Sequence, residues 1–150
     1  MRIIISPAKK MNIDTDSLDW NDLPQFLPEA EAIKSCLQRK ASKELQDLWK
    51  CNDSIAAMNV ERLQGMDLSK TLTPAILAYE GIQYQYMAPS VFEFGHLDYI
   101  SEHLRILSGF YGLLRPFDGV VPYRLEMQAK LAVGKSKDLY AYWGNKLAKQ

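Results

Sequence analysis

The chain has little of what usually announces a chemistry. Its 150 residues include only two cysteines and two histidines. Cys36 and Cys51 show no CxxC spacing and fall in predicted helical segments, which fits reduced thiols better than a disulfide or zinc site. Only Cys51 has an adjacent cation, Lys50, so neither thiol has the basic surroundings of a redox sensor. His96 and His103 on one helix would stand roughly 10 Å apart, too far to share a metal, so no metal is expected. No apolar run approaches the eighteen or so residues of a membrane span, and the IIIS run near the N-terminus is too short for a signal-peptide core. A cytoplasmic protein without membrane association is expected. The phosphate loop GxxxxGK[ST], the dinucleotide GxGxxG, the nucleophile elbow GxSxG and the zinc motif HExxH are all missing, so the common NTPase, dehydrogenase, hydrolase and zinc-protease readings lack their residues and no cofactor is expected.

Net charge is absent too: 18 basic residues balance 18 acidic ones. Their distribution is uneven. The middle third is acidic, whereas the last fifty residues set Arg105, Arg115, Arg124, Lys130, Lys135, Lys137, Lys146 and Lys149 against four acids. A neutral chain can still hold phosphate through a local patch. With 47% hydrophobic residues, the chain is long enough for one real core, and residues 1–150 are expected to form a single domain.

Periodicity supplies a mixed α/β (α+β) outline, a small sheet with surrounding helices. Arg2 to Ser6 is a β-branched run broken by Pro7, read as a buried first strand. Ser6, Lys9 and Lys10 sit where that strand runs out, either as an anion-binding corner or as a solvated basic turn. Asn12 to Pro28 reads as a surface excursion fastened by Trp20, Leu23 and Phe26. Helical spacing covers Glu29 to Leu37, Ser42 to Lys50 with Ser42 as N-cap, and Asp53 or Ser54 through Arg62. The apolar run Leu72 to Tyr79 leads into a second candidate site loop holding Gly81 and Tyr84, where glycine permits close backbone approach. Tyr86, Met87, Phe92 and Phe94 read as core or lid residues. Asp98 to Leu104 and the stretch from Leu139 read as helices.

Leu107 to Met127, LSGFYGLLRPFDGVVPYRLEM, has neither helical nor strand period. It crowds Ser108, Gly109, Tyr111, Gly112, Arg115, Asp118, Tyr123, Arg124 and Glu126 into turns, planar faces and guanidinium forks suited to an anionic, planar ligand. The plainer alternative is a turn-rich connector in which Arg115 and Arg124 pair locally with Asp118 and Glu126. LSGFYG admits either a strand or the glycine hairpin of a helix-hairpin-helix element, whose amides meet a nucleic-acid phosphate.

Together with IIISPAKKM (Ile3 to Met11), AYEGIQY (Ala78 to Tyr84) and LYAYWG (Leu139 to Gly144), that segment resembles the YaaA family of bacterial peroxide-stress proteins. The blocks occur in order along nearly the whole chain. Lys10 and Gln128 depart from the family's usual threonine and glycine, and family members continue well beyond this length, so the chain reads as the N-terminal portion of a longer fold. The resemblance implies a mixed α/β fold with a helix-hairpin-helix element, a positive cleft, DNA binding, and protection of DNA by lowering free intracellular iron.

The leading expectation is therefore a non-catalytic DNA-binding protein of the peroxide response. Lys9, Lys10, Arg115 and Arg124 would attract phosphate, while Tyr79, Tyr84, Tyr111 or Tyr123 stack on bases of distorted or partly single-stranded DNA. Ser6, Gly81, Ser108, Gly109, Gly112, Asp118 and Glu126 complete the expected pocket. No partner protein is identifiable. The alternative is an enzyme on a nucleobase, nucleotide or similar planar anion, with an arginine as clamp and Asp118 or Glu126 moving a proton. Direct iron binding has the least support, since the carboxylates are scattered without a ligand triad.

Overall fold

The computed structural model describes residues 3–8, 10–15, 19–80 and 101–147. Two of the expected helices form, the first opening two residues before Glu29 and the second at Asp53. α1 (Leu27–Gln38) opens with a proline in its first turn and buries Ala30, Ile33 and Leu37 along one stripe. α3 (Asp53–Gln64) is capped by Asn52, whose side-chain oxygen accepts the Ile55 amide at 2.9 Å.

Between them, α2 (Ser42–Trp49) buries Leu45 and Trp49. Ser42 is its first helical residue and not its cap. That place belongs to Ala41, whose amide donates to the Glu44 carboxylate at 3.0 Å. The Glu44 carboxylate thus supplies the reciprocal half of a capping box and moves the start back one residue. Lys50 then takes a left-handed conformation, φ 53°, which ends α2 and places Cys51 in the connector and not in a helix.

β1 (Ile3–Ile5) runs parallel to β3 (Leu104–Ser108), with Ile3 opposite Leu104 and Ile5 opposite Ile106. β3 turns back antiparallel onto β4 (Gly112–Leu114), so β3 is the central strand of a three-stranded sheet. A second small sheet pairs β2 (Thr73–Pro74) with β5 (Gly119–Val120). The apolar run expected after Leu72 is thus split, since Pro74 ends the strand and α4 (Ala75–Ala78) follows at once. α5 (Leu139–Trp143) and a 3₁₀ turn, Gly144–Lys146, close the described chain.

LSGFYG is a β-hairpin, because Leu104 to Ser108 alternates buried and half-buried residues at strand period and Ser108 pairs with Gly112 across the turn. Of the two options at this position the strand is the one realised. The helix expected over Asp98 to Leu104 keeps only Ser101 to His103 before β3 begins, its earlier part lying outside the described residues. The Gly81 and Tyr84 loop, with Lys9 and the aromatics Tyr86, Phe92 and Phe94, also lies outside them. No helix among the described residues is long and apolar enough to cross a membrane.

Candidate functional site

The crowded segment separates into three places. The first is a buried hydroxyl chain beneath the β3–β4 turn. Ser108 Oγ accepts the amides of Phe110 at 3.2 Å and Tyr111 at 3.0 Å. With both lone pairs so used, its proton goes to the Tyr123 hydroxyl at 2.5 Å, and the Tyr123 and Tyr79 hydroxyls share a hydrogen bond of 2.7 Å. Tyr111 points elsewhere, its hydroxyl accepting the Val121 amide at 3.1 Å. Burial pushes the Tyr123 phenol up to about 12 and raises that of Tyr111, so both stay neutral donors and acceptors. Tyr79, Tyr111 and Tyr123 are at most 6% exposed. Tyr79 and Tyr111 are core residues with no face open to a nucleic-acid base, and Tyr123 reaches only the wall of the groove described below. Residue type alone cannot reveal this, because a tyrosine whose hydroxyl is answered internally packs like phenylalanine.

The second place is the Arg115 to Asp118 turn. Asp118 accepts the Arg115 amide at 2.9 Å and its Nε at 3.0 Å. The same guanidinium donates to the Leu23 carbonyl at 3.2 Å and lies 3.9 Å from Asp22. The turn's backbone also holds distant segments, since Asn21 donates to Phe117, Ala75 to Asp118 and Ile76 to Pro116 at 2.7–2.9 Å. The local pairing of Arg115 with Asp118 is thus realised, and it works as a tie. Burial pushes the Asp118 carboxyl up to about 6, against the pull of the Arg115 amide and guanidinium.

The third place is a groove of about 280 Å³ at the carboxyl end of β1. Ser6, Gly109, Tyr123, Arg124 and Glu126 line it, so five of the expected site residues meet there. Arg124 donates to the Trp49 carbonyl at 3.4 Å, at the C-terminus of α2, where a cation is favoured. Gly109 is required by close approach, since a Cβ there would meet the Met127 amide nitrogen at 2.9 Å. Gly112, at φ 79°, instead lies against Trp143, whose Nε1 donates to the Gly109 carbonyl at 2.9 Å. Lys10 is exposed but does not line this groove, and Arg115 lines a different, smaller hollow. Arg115 and Arg124 therefore do not converge.

A fourth place escaped the sequence. Between α1 and the turn after Val133 lies a groove of about 550 Å³ lined by Arg39, Lys135 and Lys146, with Cys36, Ser136 and Tyr142 between them and no carboxylate. Reciprocal backbone bonds between Val133 and Ser136, at 3.0 and 2.9 Å, fix the turn that presents Lys135. Lys146 stands 4.7 Å over the Tyr142 ring. None of the three cations has an ion pair among the described residues. The basic excess of the last fifty residues was the only signal of it, because Arg39 joins from just past the end of α1, remote in sequence. Among the described residues no three His, Cys, Asp or Glu side chains gather to hold a metal.

Comparison with known proteins supplies the family. A family model described as peroxide stress protein YaaA matches residues 1–150. The chain is similar to a UPF0246 protein of Pediococcus pentosaceus, 57% identical over 147 residues, which cover 98% of this chain and 59% of the relative. A UPF0246 protein of Desulfitobacterium hafniense is 60% identical over 143 residues, covering 95% of this chain and 57% of its own length. The chain thus spans roughly three-fifths of the length of these curated relatives. On the match over its whole length and on these identities, the chain belongs to the YaaA family of peroxide stress proteins.

Proposed function

We propose that this protein binds DNA in the cellular response to hydrogen peroxide, limiting oxidative DNA damage and free intracellular iron, and that it holds DNA phosphates in the groove of Arg39, Lys135 and Lys146. The observation that carries this reading is the composition of that groove: three cations and no carboxylate. Guanidinium and ammonium groups that have no carboxylate partner among the described residues release counterions when they meet phosphate, which is the main source of sequence-independent affinity. Arg115, tied to Asp118, has less to gain. Tyr142 in the groove and Tyr140, 62% exposed, take over the aromatic role first assigned to the buried tyrosines.

Fluorescence-anisotropy titration with duplex, bubble and single-stranded DNA across a salt series tests the reading. Each phosphate contact contributes about 0.9 to the slope of log K against log salt on duplex, so Lys135→Ala with Lys146→Ala is expected to flatten it by about 1.8. An unchanged slope refutes this groove as the DNA contact.

The groove of Ser6, Arg124 and Glu126 favours a second reading, a site for a nucleotide or another small planar anion, because it brings a hydroxyl and side chains of both signs together in about 280 Å³. A free nucleotide that displaces DNA, or that saturates a calorimetric titration abolished by Arg124→Ala, would select it. Failure of both would reject it.

A further inference from the structure

Among the described residues the apolar strand β1 is paired on one edge only. Ile3, Ile4 and Ile5 form an uninterrupted β-branched run paired in parallel with β3. Parallel strands with such runs are normally buried on both faces. Here only Ile5 is buried, while Ile3 is 42% and Ile4 62% exposed. Among the described residues β1 has no neighbour on the side away from β3, so it ends the sheet in the order β1, β3, β4. Alternate backbone groups of β1 therefore point outward along that edge. Edge strands that must stay free are usually blunted by lysine, proline or a bulge. Ile3 to Ile5 carries none of these, so the sequence of β1 is that of an interior strand and its setting is that of an edge.

The relatives contain what could resolve this mismatch. The Pediococcus pentosaceus protein matches 98% of this chain with only 59% of its own length, which leaves about two-fifths of its polypeptide outside the match. We infer that the outer edge of β1, with Ile3 and Ile4, is the seat of that additional polypeptide, which adds a strand beside β1 and covers the two isoleucines. A second copy of this chain fits less well, because β1 is only three residues long and pairing two such edges gives few ladder hydrogen bonds. Ser6, Pro7 and Ala8 follow β1 directly and line the groove of Arg124 and Glu126, so a segment seated on β1 would also border that groove. The inference is independent of DNA binding.

Hydrogen exchange read by mass spectrometry, on the 150-residue chain and on the full-length Pediococcus pentosaceus relative, tests it. The β1 peptide is expected to exchange at least about tenfold more slowly in the relative, while the β3 peptide exchanges alike in both. A cysteine introduced by Ile4→Cys should react with a maleimide at the rate of an exposed thiol in this chain. At the equivalent position of the relative it should react at least about tenfold more slowly, with sites read by peptide mapping. Equal rates in the two proteins overturn the inference. Protection of β1 in this chain that grows with its own concentration also overturns it, in favour of self-association.

Discussion

Asp118 allows burial and ion pairing to be weighed against each other in one side chain. It is 1% exposed, and its carboxyl is pushed from 3.8 up to about 6 although Arg115 binds it through both amide and guanidinium. A shift of about two units corresponds to about 3 kcal/mol between the two protonation states. The folded protein therefore holds a proton on Asp118 that the unfolded chain has released between about pH 4 and pH 6. That contribution to stability is complete below about pH 4 and is lost as the pH rises through about 6. Asp118→Asn keeps the shape and an acceptor for the Arg115 amide but does not titrate, so other ionisations largely cancel in the difference between the two proteins. Urea denaturation of both at several pH values from 4 to 8 should show the wild type losing up to about 3 kcal/mol relative to the variant as the pH rises. A difference that is flat, or that moves in the wild type's favour with rising pH, would refute the reasoning and show that Arg115 outweighs desolvation.

Three further substitutions test the surrounding framework. Gly112→Ala places a Cβ 2.7 Å from Trp143 at φ 79°, so it should cost about 2 kcal/mol or more in chemical denaturation and shift the tryptophan fluorescence. Tyr123→Phe removes the middle of the Ser108 to Tyr79 hydroxyl chain and should cost about 1–3 kcal/mol, with no gain in exposed aromatic surface by dye binding. Arg115→Ala should lower stability by about 1–2 kcal/mol, since its side chain is 39% exposed and partly screened, while changing DNA affinity less than Lys135→Ala does. The reverse order of the two affinities would return Arg115 to the DNA contact.

Local signals were legible in the sequence where the chain decides locally. The apolar stripe marks α1, although Pro28 belongs to its first turn and not to the excursion before it, and Asp53 opens α3 as expected. Ser42 failed as a cap because Glu44 rewards a start one residue earlier, a choice between two adjacent signals that spacing alone does not rank. The special character of Leu107 to Met127 was visible as well, but its partners were not. Whether Tyr123 stacks on a base or answers Ser108 depends on Tyr79 arriving from a remote segment. Arg39 could not be nominated at all, because the turn that gives it a neighbour in Lys135 lies beyond β3 and β4.

The polar groups of residues 108 to 119 bind one another and tie the segment to distant parts of the chain. Ser108 fixes two amides, Asp118 fixes Arg115, and the turn's carbonyls hold Asn21, Ala75 and Ile76. A side chain that must meet a changing ligand is poorly placed where its hydrogen bonds already hold the backbone together, since binding would first have to break them. The crowded segment is therefore best understood as the rigid frame, and ligand chemistry falls to what the frame holds open at its margins. Arg124 and Glu126 face one groove just past the buried tyrosine, and Arg39, Lys135 and Lys146 face another. Substitutions within the frame should thus lower stability and affinity together, whereas substitutions at the margins should lower affinity alone.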